Sequence, residues 1–164
     1  MKKTEKRKTV FLIGISSIAI VLLIFVNINS AQTTQDQYAN YFASVTEASV
    51  NLTRAFQDQI GLWQLGQISN NTMAEITNKY IINFTSQLNE FNETEAPEAF
   101  LETKENLLNS FVNEIKSYEF FRDYLLSGNE TKNDISTQYL SQALQDEASA
   151  FKAYEKIINQ SISR

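Results

Sequence analysis

Carboxylates are the side chains with the greatest chemical capacity here, because none of the 164 residues is a His or a Cys. That composition excludes disulfides, thiol nucleophiles, imidazole-based acid–base catalysis and the usual zinc or haem ligands. The di-iron sites of helical bundles require Glu-x-x-His, which cannot occur without His. The sequence also lacks a phosphate-binding glycine loop and a nucleophile elbow. We therefore expect a protein that is not an enzyme and that uses no cofactor.

Six glutamates gather in one short segment, at Glu90, Glu93, Glu95, Glu98, Glu102 and Glu105. The last three are separated by four and three residues, which places them on one face of a helix. Calcium prefers several such oxygen ligands, but the spacing does not match an EF-hand loop. We interpret the segment as a solvated acidic surface and predict no metal site.

Asn-x-Ser/Thr sequons form a second chemical pattern, with six candidate glycosylation sites at Asn51, Asn70, Asn83, Asn92, Asn129 and Asn159. In an exported protein such a sequon can accept an N-linked glycan at the surface. Three of the six (Asn70, Asn92 and Asn129) coincide with breaks between predicted helices, where a glycan would not disturb packing. The pattern favours a glycoprotein; the alternative is accidental matches in an Asn-rich chain.

A third candidate is a group of aromatic residues, Trp63, Phe120 and Tyr124. Phe120 and Tyr124 lie four residues apart on a predicted helix, beside the apolar stripe that contains Tyr118 and Phe121. A helix with two apolar faces is either central in a bundle or presents one face to a partner. The sequence leaves both interpretations open, core packing and a partner surface.

The N-terminus predicts a membrane segment. Residues 1–9 hold five basic side chains and one Glu, and the run from Val10 to Ile28 is uncharged and largely apolar. Nineteen helical residues rise by about 28 Å, close to the roughly 30 Å of a bilayer's hydrocarbon core. We predict a cytoplasmic basic flank (1–9), a single-pass signal anchor (10–28) and an extracytoplasmic domain (29–164) at the cell membrane.

A cleaved signal peptide is the alternative to a retained anchor, with cleavage near Ser30 or Ala31 and a secreted product. Both readings export the rest of the chain, which holds nine Lys and Arg against eighteen Asp and Glu. An acidic surface repels nucleic acid, so we expect no nucleic-acid partner.

Apolar periodicity predicts four helices after the membrane segment. They run from about Thr33 to Leu65, from Thr72 to about Phe91, from about Pro97 to Leu125, and from about Asp134 to Ile162. Thr72 with Glu75 is typical of a capping box, and Gly128 of a left-handed C-terminal residue. On the fourth helix the predicted apolar face is Leu140, Leu144, Ala148, Phe151, Tyr154 and Ile158.

Short breaks between long helices favour antiparallel neighbours. The sequence therefore predicts an all-α protein, an up-down-up-down four-helix bundle with coiled-coil-like packing on an N-terminal anchor. The second helix is the shortest, so the start of the first, Thr33 to Tyr41, is expected to form an uncovered stalk.

In outline this architecture is similar to the external four-helix sensing modules of bacterial chemoreceptors and histidine kinases, a likeness of topology that no motif carries. Those modules return through a second membrane helix, for which this sequence has no second apolar segment. The function we expect is protein–protein contact with a partner or a second copy, as in an accessory subunit of a membrane or cell-envelope complex. The alternative, which the likeness supports, is an extracytoplasmic module that binds a small ligand.

Overall fold

A computed structural model describes residues 34–162, with side chains to residue 160. These residues form four α-helices and no strand: α1 (Thr34–Gln64), α2 (Asn70–Glu93), α3 (Leu101–Ser127) and α4 (Glu130–Ile162). A single 3₁₀ turn (Glu98–Phe100) leads into α3. The predicted all-helical bundle is thereby confirmed, whereas the predicted anchor at 10–28 lies outside the described residues. Within residues 34–162 no helix is both long and apolar enough to cross a bilayer.

Ring contacts show how the helices run. Phe42 of α1 lies 6.4 Å from Phe91 of α2, whereas Phe56 lies 4.9 Å from Tyr80, so α1 and α2 are antiparallel. Trp63 contacts Phe121 at 5.5 Å, so the end of α1 meets the end of α3. We call this end of the bundle, with the α1–α2 and α3–α4 connections, the tip. The opposite end, where α1 begins, is the base.

A glycine with positive φ follows each helix that ends at the tip, Gly66 after α1 and Gly128 after α3. Gly128 has φ 69° and its N–H donates to the Tyr124 carbonyl at 2.8 Å, as expected of a left-handed C-terminal residue. Asn129 Oδ1 then accepts from the Thr131 N–H at 3.1 Å, which starts α4 earlier than the predicted Asp134. Because the Asn129 side chain satisfies a first-turn N–H, α4 begins at Glu130, two residues after Gly128.

The start of α2 also differs from the prediction. The N-terminal cap is Ser69, whose hydroxyl accepts from the Thr72 N–H at 3.1 Å, so the capping box proposed at Thr72 is wrong. Pro97 lies before the 3₁₀ turn rather than inside the first turn of α3. In both cases a residue just outside the apolar stripe makes the local hydrogen bond or sets the backbone angle that begins the helix.

Small buried side chains pack α3 against α4 at an interval of seven residues, along what we call the seam: Thr103, Ser110 and Ser117 face Ser136, Ala143 and Ala150. The Ser136 hydroxyl donates to the Ser117 carbonyl at 2.8 Å. Side chains of this size let two helix backbones approach closely, and α3 and α4 are the most closely paired helices. The predicted face of α4 is therefore partly wrong, since Ala148 is exposed while Ala143 and Ala150 are buried.

Aromatic rings make up much of the remaining core. Its fully buried rings come from α1, α2, α3 and the 3₁₀ turn, and they are Phe42, Phe56, Phe84, Phe91, Phe100, Phe111, Tyr118 and Phe121. Tyr38 packs on Phe100 at 5.1 Å, so the predicted stalk is wrong from Tyr38 onward. The turn between α2 and α3 covers the start of α1 that α2 is too short to reach.

Candidate functional site

All six sequon asparagines are exposed in the structure. Asn70 begins α2 and Asn129 lies between α3 and α4, so both belong to the tip. Asn92 lies in the last turn of α2 rather than in the break after it, and the other three lie within helices. Exposure leaves room for a glycan at each position, and glycosylation itself stays a prediction.

Trp63 lies at the tip and is only 8% exposed. Its indole N–H donates to Asn70 Oδ1 at 2.8 Å, and its ring meets Phe121 and Tyr124 edge-on. Tyr124 is half-buried beside these rings. Trp63 and Tyr124 therefore connect the tip ends of α1 and α3, with Trp63 also tied to the start of α2.

Phe120 is half-buried on the outer side of the seam. It stacks on Tyr139 of α4 with ring centroids 5.6 Å apart and an interplanar angle of 10°. Lys132 Nζ lies over the Phe120 ring and Lys116 Nζ over the Tyr139 ring, each 5.4 Å from the centroid. This stack of two rings between two ammonium groups joins α3 to α4 and leaves only part of Phe120 accessible.

The exposed apolar surface of the tip consists instead of leucines that the sequence analysis did not single out. Leu65 is 74% exposed just after α1, Leu126 is 61% exposed near the end of α3, and Leu62 is also exposed. All three lie off the buried stripes of their helices. That departure from periodicity, at the ends of two helices that meet, is the signal that would have revealed them.

A buried carboxyl group, which the apolar periodicity of the sequence does not reveal, lies in the middle of the bundle. Glu114 of α3 is buried, and its Oε1 accepts from the Thr53 hydroxyl of α1 at 2.9 Å and from the Tyr118 hydroxyl. Burial raises the pKa of Glu114 to about 7, the two hydrogen bonds oppose that rise, and nearby Glu147 of α4 adds to it. Burial also raises the pKa of Glu147.

At the base, an open groove of about 290 Å³ lies between the start of α1, the start of α3 and the end of α4. Its lining includes Glu102, Lys156 and Ile157, so it offers both charges and some apolar surface. The acidic segment around Glu98 is exposed nearby. Within the described part of the chain, no three Asp or Glu side chains are placed together to hold a metal ion.

The chain matches no protein-family model, no curated protein and no solved structure.

Proposed function

We propose that this chain is a non-catalytic, membrane-anchored helical bundle that lies outside the cytoplasm and works by contact with another protein through its tip. The observation that carries the proposal is the exposure of Leu62, Leu65 and Leu126 at the tip, the end of the bundle opposite the start of α1. Apolar side chains gathered at one end of a soluble domain are typical of a protein-binding surface.

The anchor is supported by the sequence of residues 10–28 and its basic flank. An anchor at the base would leave the tip as the part of the domain that reaches farthest from the membrane. The glutamates at the base of the bundle would repel anionic head groups and so help to hold the domain away from the membrane surface. These placements suit an accessory subunit of a membrane or cell-envelope complex.

The test is mild-detergent extraction of the full chain, tagged at the C-terminus, followed by native gel electrophoresis and identification of co-migrating proteins. We expect the wild-type chain to migrate as an assembly larger than the monomer. The double substitution Leu65→Asp and Leu126→Asp should dissociate this assembly. Ile82→Asp is the matched control, because Ile82 is 59% exposed in the middle of α2, away from the tip. A monomer, or an assembly that the tip and control variants affect equally, contradicts the proposal; a homo-oligomer lost only in the tip variant makes the partner a second copy.

The second candidate function, a module that binds a small ligand, is favoured by the groove at the base. Its Lys156 and Glu102 suit a small molecule that carries both charges. A ligand that binds the folded state raises the melting temperature, so a thermal-shift screen of amino acids and related zwitterions tests this function. If Lys156→Gln loses the rise in melting temperature and the exposed control Lys152→Gln keeps it, the ligand binds in the groove. No shift with any compound removes the candidate.

A further inference from the structure

The fold holds the six sequons differently, although each of their asparagines is exposed. Transfer of a glycan forms a bond from the Asn Nδ2 to the first carbon of an activated sugar. The bond from that carbon to its phosphate carrier breaks, the phosphate leaves with the electron pair, and Nδ2 releases one proton to solvent. Because the sequon demands Ser or Thr two residues later, the transferring enzyme must reach the amide and that hydroxyl together.

Two sequons lie in the middle of helices, where these two groups point in opposite directions. Residues i and i+2 of an α-helix are turned by about 200° around its axis, so they do not share one side. In α1 the Thr53 hydroxyl donates to the buried Glu114 at 2.9 Å, whereas Asn51 is exposed. In α2 the Thr85 hydroxyl, two residues after Asn83, donates to a carbonyl of its own helix at 2.7 Å. Either sequon becomes usable only when its helix unwinds.

The Asn92 sequon, at the end of α2, is fixed by contacts with α1 and α3. The Thr94 hydroxyl donates to the Tyr41 hydroxyl of α1 at 3.0 Å. Lys104 of α3 donates from Nζ to the carbonyl oxygens of both Asn92 and Thr94. An enzyme can take up this sequon only after the connection between α2 and α3 has come away from the bundle.

The Asn70 sequon lies at the tip, and hydrogen bonds hold both of its groups. Asn70 Oδ1 accepts from the Trp63 indole N–H at 2.8 Å. The hydroxyls of Thr72 and Ser69 form a hydrogen bond of 2.9 Å. Asn70 and Thr72 both belong to α2, so they are again two positions apart on a helix. This sequon is usable only when the first turn of α2 opens.

Asn129 is placed differently, because it lies in the two-residue connection between α3 and α4. Its Oδ1 accepts from the Thr131 N–H at 3.1 Å, so the amide folds back toward residue 131. Thr131 is exposed, and no hydrogen bond among the described side chains engages its hydroxyl. The amide and the hydroxyl are therefore accessible together at the tip. The sixth sequon, Asn159, is not compared, because its hydroxyl on Ser161 lies beyond the described side chains.

We propose that Asn129 is the sequon that accepts a glycan on the folded domain, whereas the four sequons held by the helices accept one only while the chain is unfolded. The donor is a lipid-linked sugar phosphate outside the cytoplasm. This inference rests on the export proposed above and does not depend on the partner contact at the tip. The order in which the chain folds and meets the enzyme then sets its glycan pattern.

The test supplies the full chain, purified in detergent from a host that does not glycosylate it, with a lipid-linked oligosaccharide and a transferring enzyme. The enzyme is one that modifies synthetic peptides spanning each of the five compared sequons at similar rates. Peptide mapping by mass spectrometry measures occupancy over time. We expect Asn129 to be modified at least about tenfold faster than the other four, which must wait for local unfolding. Comparable rates at the helical sequons, or an unmodified Asn129, overturn the proposal.

Asn92 is the matched control, because Asn92 and Asn129 begin the same tripeptide, Asn-Glu-Thr. A difference in rate between them cannot come from the sequon itself. Thr131→Ala should abolish the modification of Asn129 and leave the rate at Asn92 unchanged, and modification that survives this substitution contradicts the role given to the hydroxyl. The native gel that tests the tip contact does not affect these rates, so the two proposals fail separately.

Discussion

At the scale of single residues, the burial of Glu114 should make the stability of the fold depend on pH. Because burial raises the pKa of Glu114 to about 7, from an ordinary 4.5, the folded chain binds this proton more tightly than the unfolded chain does. The stabilisation that results is complete below the unfolded pKa and is lost as the pH rises through the folded one. Over that window the loss amounts to about 3 kcal/mol.

We expect Glu114→Gln to remove this contribution to the pH dependence, because the amide does not titrate. Relative to wild type, the variant should gain free energy of unfolding as the pH rises from about 4.5 to 7. Urea denaturation at a series of pH values measures it, with the exposed Glu119→Gln as control. A wild-type-minus-variant difference that does not vary with pH would show that Glu114 titrates normally.

Two glycines give opposite predictions at the same scale. Gly128 has φ 69°, a conformation in which a Cβ is strained, so Gly128→Ala should destabilise the fold by about 1 kcal/mol. Gly61 lies within α1 without positive φ, and an added Cβ there meets nothing within 4 Å. Gly61→Ala should therefore stabilise by about 0.5–1 kcal/mol. Thermal unfolding of the two variants checks the pair, and equal signs would refute the assigned backbone conformations.

At the scale of elements, the seam controls how closely α3 and α4 approach. A period of seven residues with small side chains on both helices keeps one register over three layers. A larger side chain in any layer must push the helices apart or adopt a strained rotamer. The large side chains of α4, among them Phe151 and Tyr154, are only partly buried, so the small-residue contact is the fully enclosed part of its packing.

Ala143→Leu tests the seam against a matched change on the same helix. Ala143 is 3% exposed, so the added volume should cost about 1–3 kcal/mol of unfolding free energy. Ala148→Leu introduces the same side chain at an exposed position and should stay within about 0.5 kcal/mol of wild type. Denaturant unfolding of both variants measures the two free energies of unfolding. An Ala143→Leu variant as stable as wild type would mean that the two helices are not closely packed there.

At the scale of the whole molecule, export and glycosylation leave a signature in the mass. We expect protein from native membranes to lose mass on deglycosylation, because all six sequon asparagines are exposed. Intact mass spectrometry measures this loss and also shows whether residues 1–30 are retained. An unmodified mass would contradict the glycoprotein prediction.

Glycan occupancy should also differ between sites. The Thr53 hydroxyl of the Asn51 sequon is bonded to Glu114, whereas Thr131 of the Asn129 sequon is exposed at the tip. An enzyme that acts on the folded chain would therefore modify Asn129 more fully than Asn51. Peptide mapping measures the two occupancies, and equal values would indicate that any modification precedes folding.

The sequence by itself determined the number and type of helices, because apolar residues at helical spacing and a helix-ending glycine such as Gly128 are local signals. The signal for a membrane segment and the six sequons are also readable without a structure, though they remain predictions. Helix starts were misjudged at Ser69 and Asn129, where one hydrogen bond from a side chain outside the stripe begins the helix.

Only the tertiary structure decided which faces meet. Small residues such as Ala143 contribute little to the apolar periodicity of a helix. They form a seam only when a second helix, with small residues at the same seven-residue interval, packs against them. In the same way, nothing in the sequence distinguishes Glu114 from a surface glutamate. Its surroundings include Tyr118, one helical turn away, and Thr53 and Glu147, which are distant in the chain. Burial is a property of the neighbours rather than of the residue, which is why the carboxyl with the most perturbed pKa was invisible to periodicity.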